Sequence, residues 1–195
     1  MRKFLYLVLV ILIIALIITG IFLLIKIEDN IDNLIDDQKY QLKYSEFVEK
    51  YADEYEVPAS LVYAMIKCES DFDPDSTSRV GAMGLMQMMP ATFHDVQKRI
   101  GEELEDEMLY DPETSIKYGT YYIAYLYRYF KNWDNAVAAY NAGMGTVSGW
   151  LKNDEYSKDG ELINIPYSET KRYLEKVKYE KTKYEDILNG NEDEK

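Results

Sequence analysis

An uncharged run of 22 residues, FLYLVLVILIIALIITGIFLLI from Phe4 to Ile25, constrains this chain before any other feature. As an α-helix it would be about 33 Å long, enough to cross a hydrocarbon core of about 30 Å. A cleaved secretory signal has a shorter apolar region followed by a small-residue cleavage site. Here the run passes into Lys26, Ile27 and Glu28 with no such site, so the expectation is an uncleaved single-pass anchor at 4–25. Arg2 and Lys3 precede the run and acids crowd its far side. Counting only basic residues near the ends, two before the run against Lys26 after it, favours a cytoplasmic N-terminus and an extracytoplasmic remainder at the cell membrane.

Charge narrows the partners. Three of the 22 Lys and Arg precede residue 28 and none of the 35 Asp and Glu do, so residues 28–195 hold 19 basic and 35 acidic groups, a net of −16. Nucleic-acid phosphates and anionic headgroups both require clustered Lys and Arg, so neither is an expected partner of this part. The single cysteine, Cys68, excludes an intramolecular disulfide and a multi-cysteine metal site. The single histidine, His94, has no nucleophile-elbow pattern beside it and is expected on a helix surface. No metal and no cofactor are expected.

Residues 26–44 are polar, with Ile31, Leu34 and Ile35 at helical spacing, and form a candidate stalk. One domain is expected over 45–184, followed by an acidic tail at 185–195. Within the domain the period is helical almost throughout. Phe47, Val48, Tyr51 and Tyr55 mark a first helix; Pro58 opens a second, with Leu61, Met65, Cys68 and Phe72 as one stripe. Pro90 restarts a helix, and Asp111-Pro112-Glu113 is a cap and first turn for a long one. NWDNAVAAYNAG reads as a short helix closed by a left-handed Gly143. After a loop, Ser168 opens a last helix through Tyr173, Leu174 and Val177. No stretch alternates like a half-buried strand, so the class is mainly α.

Two kinds of residue stand out. Glu69 ends the second helix at the edge of its apolar stripe; a carboxyl half-enclosed by apolar groups has its charged form disfavoured and can donate a proton near neutral pH. Read alone, it is equally one of 35 acids without a role. The segment GAMGLMQMMPATF holds four of the eight methionines around Gln87, either as adaptable core or as the wall of a site. AAYNAGMG repeats the combination of aromatic, amide and glycines, and the 19 tyrosines suit either sugar faces or a tyrosine-rich core.

In order and spacing, Glu69-Ser70, GAMGLMQMMPAT, AAYNAG and IPYSETKRYLEKV resemble the catalytic domain of the soluble lytic transglycosylases, the glycoside hydrolase family twenty-three group related to goose-type lysozyme. The likeness covers about 45–184. It departs at Met144, where the family usually has proline between the glycines, and at Cys68, where the family often has an apolar residue such as valine. The resemblance implies a lysozyme-like helical fold with a groove for peptidoglycan glycan strands, and Glu69 as the acid that cleaves the N-acetylmuramic acid β-1,4 N-acetylglucosamine bond. It implies that Ser70 bonds near the acid or the sugar, and that Gly84, Leu85, Met86 and Gln87 line the groove, with Met88 and Met89 packed beneath. Tyr140 and Asn141 would hold sugar, and Tyr173 would orient Glu69; core packing is the competing reading for both tyrosines. The resemblance assigns no second catalytic acid, which suits a reaction whose nucleophile is the substrate's own C6 hydroxyl and whose product is a 1,6-anhydro end. A muramidase using water, and a catalytically weak glycan-binding scaffold of a wall-spanning assembly, are the alternatives.

Overall fold

The structure, a computed structural model, describes residues 17–24, 26, 40 and 42–192. The chain divides into two compact units, Met1–Gln41 and Leu42–Lys195. In the first, 17–24 is helical. Most of the expected anchor, residues 4–16 and 25, and most of the stalk lie outside the described residues. Among the described residues no helix is long and apolar enough to cross a membrane.

The second unit is helical: α1 (Ser45–Tyr55), α2 (Ala59–Glu69), α3 (Pro90–Ile100), a 3-10 turn (Asp106–Tyr110), α4 (Pro112–Phe130), α5 (Trp133–Ala142), α6 (Met144–Trp150) and α7 (Ser168–Glu192). The caps explain several of these starts. The Asp111 carboxylate accepts from the Thr114 N–H and hydroxyl at 2.9 and 2.8 Å, with Pro112 in the first turn. Asn132 accepts from the Asn135 N–H at the head of α5.

At the centre runs α2. Leu61 through Ile66 are all buried, so this helix is apolar on every side rather than along one stripe, the pattern of a helix enclosed in a core. It packs against α1 and most extensively against α7, while α4 packs against α1, α3 and α5. A second apolar cluster, Met88, Phe93, Val96, Leu109 and Tyr118, joins α3 and α4 beneath the glycine-rich loop.

Four local expectations are corrected. Phe72 does not continue the α2 stripe: the helix ends at Glu69, Asp71 and Phe72 take left-handed φ of 53° and 64°, and Phe72 packs instead against Tyr63 and Tyr184. Gly143 has φ 90° and ψ 141°, a bend outside the left-handed helical region, and leads directly into α6 where a loop was expected. A two-residue antiparallel pairing, Ser157–Lys158 (β1) with Glu161–Leu162 (β2), adds a small hairpin to the α class. Finally, α7 runs to Glu192, so the boundary expected after 184 falls inside a helix; Tyr184 is fully buried and stacks on Tyr63 at 5.1 Å.

Candidate functional site

Glu69 is the last residue of α2, and its carboxyl is enclosed by the packing of α7 across that helix end. The Tyr173 hydroxyl, 104 residues away in sequence, donates to Glu69 Oε1 at 2.6 Å. Burial pushes the Glu69 carboxyl up from 4.5 to about 7; the Tyr173 hydrogen bond and the Lys176 charge pull it back only in part. Burial also raises the phenols of Tyr173 and Tyr140 well above their ordinary value, with the nearby Glu69 charge adding to the effect. At neutral pH the carboxyl is therefore poised between acid and base, flanked by two protonated phenols.

No other carboxylate is among the groups that shift Glu69. Asp71 and Asp73 face solvent beyond the helix end, and Asp71 pairs with Lys67 one turn back. Among the described residues no group of His, Cys, Asp and Glu could hold a metal ion. His94 sits exposed on α3 against Asp106. Burial pushes the thiol of the half-buried Cys68 up to about 12, the state of an inert packing group rather than a nucleophile.

The glycine-rich loop is held against this acid by its own backbone. Thr77 and Met88 both bridge to Met83, and the Gly84 N–H donates to Ser76 O at 2.9 Å. Two consecutive carbonyls then receive hydroxyls from the elements around Glu69: Ser70 Oγ donates to Leu85 O at 2.8 Å and Tyr140 donates to Met86 O at 2.9 Å. Gly84 has φ +76°, and a Cβ there would stand 1.8 Å from Leu109 O, so only glycine allows this approach. Gly119 on α4 leaves room for Met86 in the same way, with a Cβ falling 2.3 Å from its sulfur.

This geometry revises several residue expectations. Leu85 and Met86 are 0% exposed and Gly84 is buried, so these three fill core rather than line an open groove, and of the segment 84–87 only Gln87 is partly exposed. Met88 packs inward as expected, but Met89 is 39% exposed at the start of α3, where the chain turns outward. Gln87 takes a left-handed φ of 46°, and its amide nitrogen donates to Ser76 O and Gly84 O, closing its own loop. Ser70, next to the acid, donates to the loop carbonyl of Leu85. Asn141 Oδ1 accepts from the Thr170 hydroxyl at 2.8 Å, joining the end of α5 to α7. Tyr140 also meets the Tyr122 ring at 5.4 Å. Lys176 escaped the sequence reading; its spacing of three from Tyr173, which puts both on one helix face, was the available signal.

Comparison with known proteins gives the family. The transglycosylase SLT domain family model matches residues 46–163. The soluble lytic murein transglycosylase of Escherichia coli K12 is 38% identical over 149 residues, 72% of this chain and 23% of that protein. The membrane-bound lytic murein transglycosylase C of Pectobacterium atrosepticum is 31% identical over 159 residues, 69% of this chain and 44% of that protein. The crystal structure of the 70 kDa soluble lytic transglycosylase of Escherichia coli superposes with a TM-score of 0.72 at 34% identity, covering 78% of this chain and 26% of that one. The chain thus spans less than half the length of these relatives. It belongs to the transglycosylase SLT domain family.

Proposed function

We propose that this chain is a membrane-anchored peptidoglycan lytic transglycosylase in which Glu69 serves as both acid and base. The observation that carries the reading is the Glu69 carboxyl, raised by burial to about 7 and holding the Tyr173 phenol at 2.6 Å, with no second carboxylate among the groups that shift it. An inverting or retaining glycosidase uses two carboxylates, one as acid and the other as base or nucleophile. A single carboxyl suffices when the substrate carries its own nucleophile.

In the proposed reaction, protonated Glu69 delivers its proton to the oxygen linking N-acetylmuramic acid C1 to N-acetylglucosamine. The C1–O bond breaks and the glucosamine end leaves as an alcohol. The Glu69 carboxylate then takes the proton of the muramic acid C6 hydroxyl as O6 bonds to C1, giving a 1,6-anhydro end and restoring the acid. Tyr173 keeps the carboxyl oriented through both proton transfers. Gln87, the partly exposed end of the glycine-rich loop, borders the groove, with Gly84, Leu85 and Met86 packed beneath it. Asn141 Nδ2 and Gln87 Oε1 are the amide atoms assigned to sugar, since their partner atoms are engaged by Thr170 and by the loop.

The test is release of soluble fragments from purified peptidoglycan by wild type and by Glu69→Gln. Loss of the acid is expected to lower release at least about a hundredfold, with binding to sedimented wall retained. Release by Glu69→Gln at the wild-type rate would contradict the assignment and favour a scaffold. The anchor rests on the uncharged run at 4–25. Protease added to intact wall-less cells should remove 45–192, and full protection would overturn the orientation.

A further inference from the structure

Where α7 begins, the surface is hollowed. A depression of about 530 Å³ is bounded by Asn141, Ala142, Pro166, Tyr167 and Thr170, among others. Tyr167 is 56% exposed, yet its ring is not loose: the largely buried Trp150 meets it edge-on, centroids 5.0 Å apart and planes at 86°. Pro166 immediately before it fixes the backbone φ. The Asn141–Thr170 hydrogen bond pins the two sides of the hollow together. A braced aromatic with an open face loses little conformational freedom on binding and offers an apolar plane with a polar tip.

The position matters as much as the chemistry. Thr170 precedes Tyr173 by three residues on one face of α7, a backbone rise of about 4.5 Å, and Asn141 follows Tyr140, so the hollow is built on the two helices that carry the phenols near Glu69. None of the steps assigned to Glu69 uses Tyr167 or Trp150. A polymer lying across Glu69 must nonetheless continue past the scissile bond, and this hollow lies on the helix that carries Tyr173.

Building on the glycan-cleaving function proposed above, we infer that Tyr167, braced by Trp150, is a stacking platform for a neighbouring pyranose ring of the strand. The Asn141 amide nitrogen lies on the same rim to bond a sugar substituent. Such a platform binds ground state and transition state alike, so it sets affinity and the register of cutting rather than the rate of the chemical step.

The experiment compares Tyr167→Ala and Tyr167→Phe in the detergent-solubilised full chain. Binding of a peptide-free strand of alternating N-acetylmuramic acid and N-acetylglucosamine is titrated calorimetrically in the Glu69→Gln background. Cleavage is followed with Glu69 intact, and thermal unfolding confirms that each variant is folded. Tyr167→Ala should weaken binding about tenfold, raise KM similarly with kcat unchanged, and shift the lengths of released fragments, while Tyr167→Phe retains all three. Unchanged affinity and fragment lengths in Tyr167→Ala would overturn the platform, as would equal loss in both variants, which would assign the effect to the hydroxyl. Absence of strand binding by a folded chain would also overturn it. The cleavage reading fails separately, if Glu69→Gln releases fragments as wild type does.

Discussion

Replacing Glu69 with glutamine should abolish cleavage and, above neutral pH, make the protein more stable. The carboxyl titrates at about 7 in the folded protein against 4.5 for the ordinary side chain, so over that interval the folded state holds more proton than the unfolded state. Wild-type stability from this group is therefore fully present below about pH 4.5 and is lost as pH rises through about 7. The shift corresponds to roughly 3 kcal/mol at alkaline pH. Glutamine carries no charge at any pH, and its Oε1 can accept the Tyr173 hydrogen bond that Glu69 Oε1 now accepts. The stability difference between variant and wild type should thus be flat in acid, rise between about pH 5 and about pH 8, and level off. For a domain of this size roughly 3 kcal/mol is about 6–12 °C in Tm. Urea and thermal unfolding of both proteins across about pH 4–9 read it directly, and subtracting the two curves removes groups that do not sense Glu69. A difference that does not change with pH would refute the enclosed, raised carboxyl. A difference that falls with rising pH would show that Glu69 is stabilised as an anion.

Two further outcomes follow from the geometry. Tyr173→Phe removes a hydrogen bond that favours the Glu69 anion, so the alkaline limb of the kcat/KM profile should move up by about one pH unit while the rate at its maximum falls; an unmoved limb would show that the hydroxyl does not act on the acid. Gly84→Ala forces a Cβ into Leu109 O and a left-handed φ, so it should lower stability by about 2–3 kcal/mol or more in urea titrations; wild-type stability would mean that the loop does not approach the 3-10 turn as described.

Local chemistry made part of this site legible. The Asp111-Pro112 cap, the Pro90 start and the apolar second helix are short-range features, and Glu69 stands out because the groups enclosing it on α2 are its own sequence neighbours. Tyr173 is different. Nothing within 100 residues of Glu69 announces it, and only the order of motifs tied the two together before the α2–α7 packing placed them 2.6 Å apart. The glycine-rich loop was misread in direction for a physical reason. An irregular segment has no period to say which side chains point inward, and the inward turn of Leu85 and Met86 is set by Ser70, Tyr140, Ser115 and Gly119 from three other elements. Helix α6 was hidden by glycines at 145 and 149, whose low propensity is outweighed by burial of Val147 and Trp150. The last helix was cut short because its acidic end resembles a solvated tail, while Tyr184 anchors it by stacking on Tyr63.

The central claim is that one carboxyl acts first as acid and then as base, with the substrate's own C6 hydroxyl as nucleophile. Mass spectrometry of the glycan ends released from purified peptidoglycan tests it most directly. The account predicts ends one water lighter than reducing ends, formed by wild type and absent with Glu69→Gln. Reducing ends from wild type would contradict it by showing that water is the nucleophile, and anhydro ends from Glu69→Gln would remove Glu69 from the chemistry.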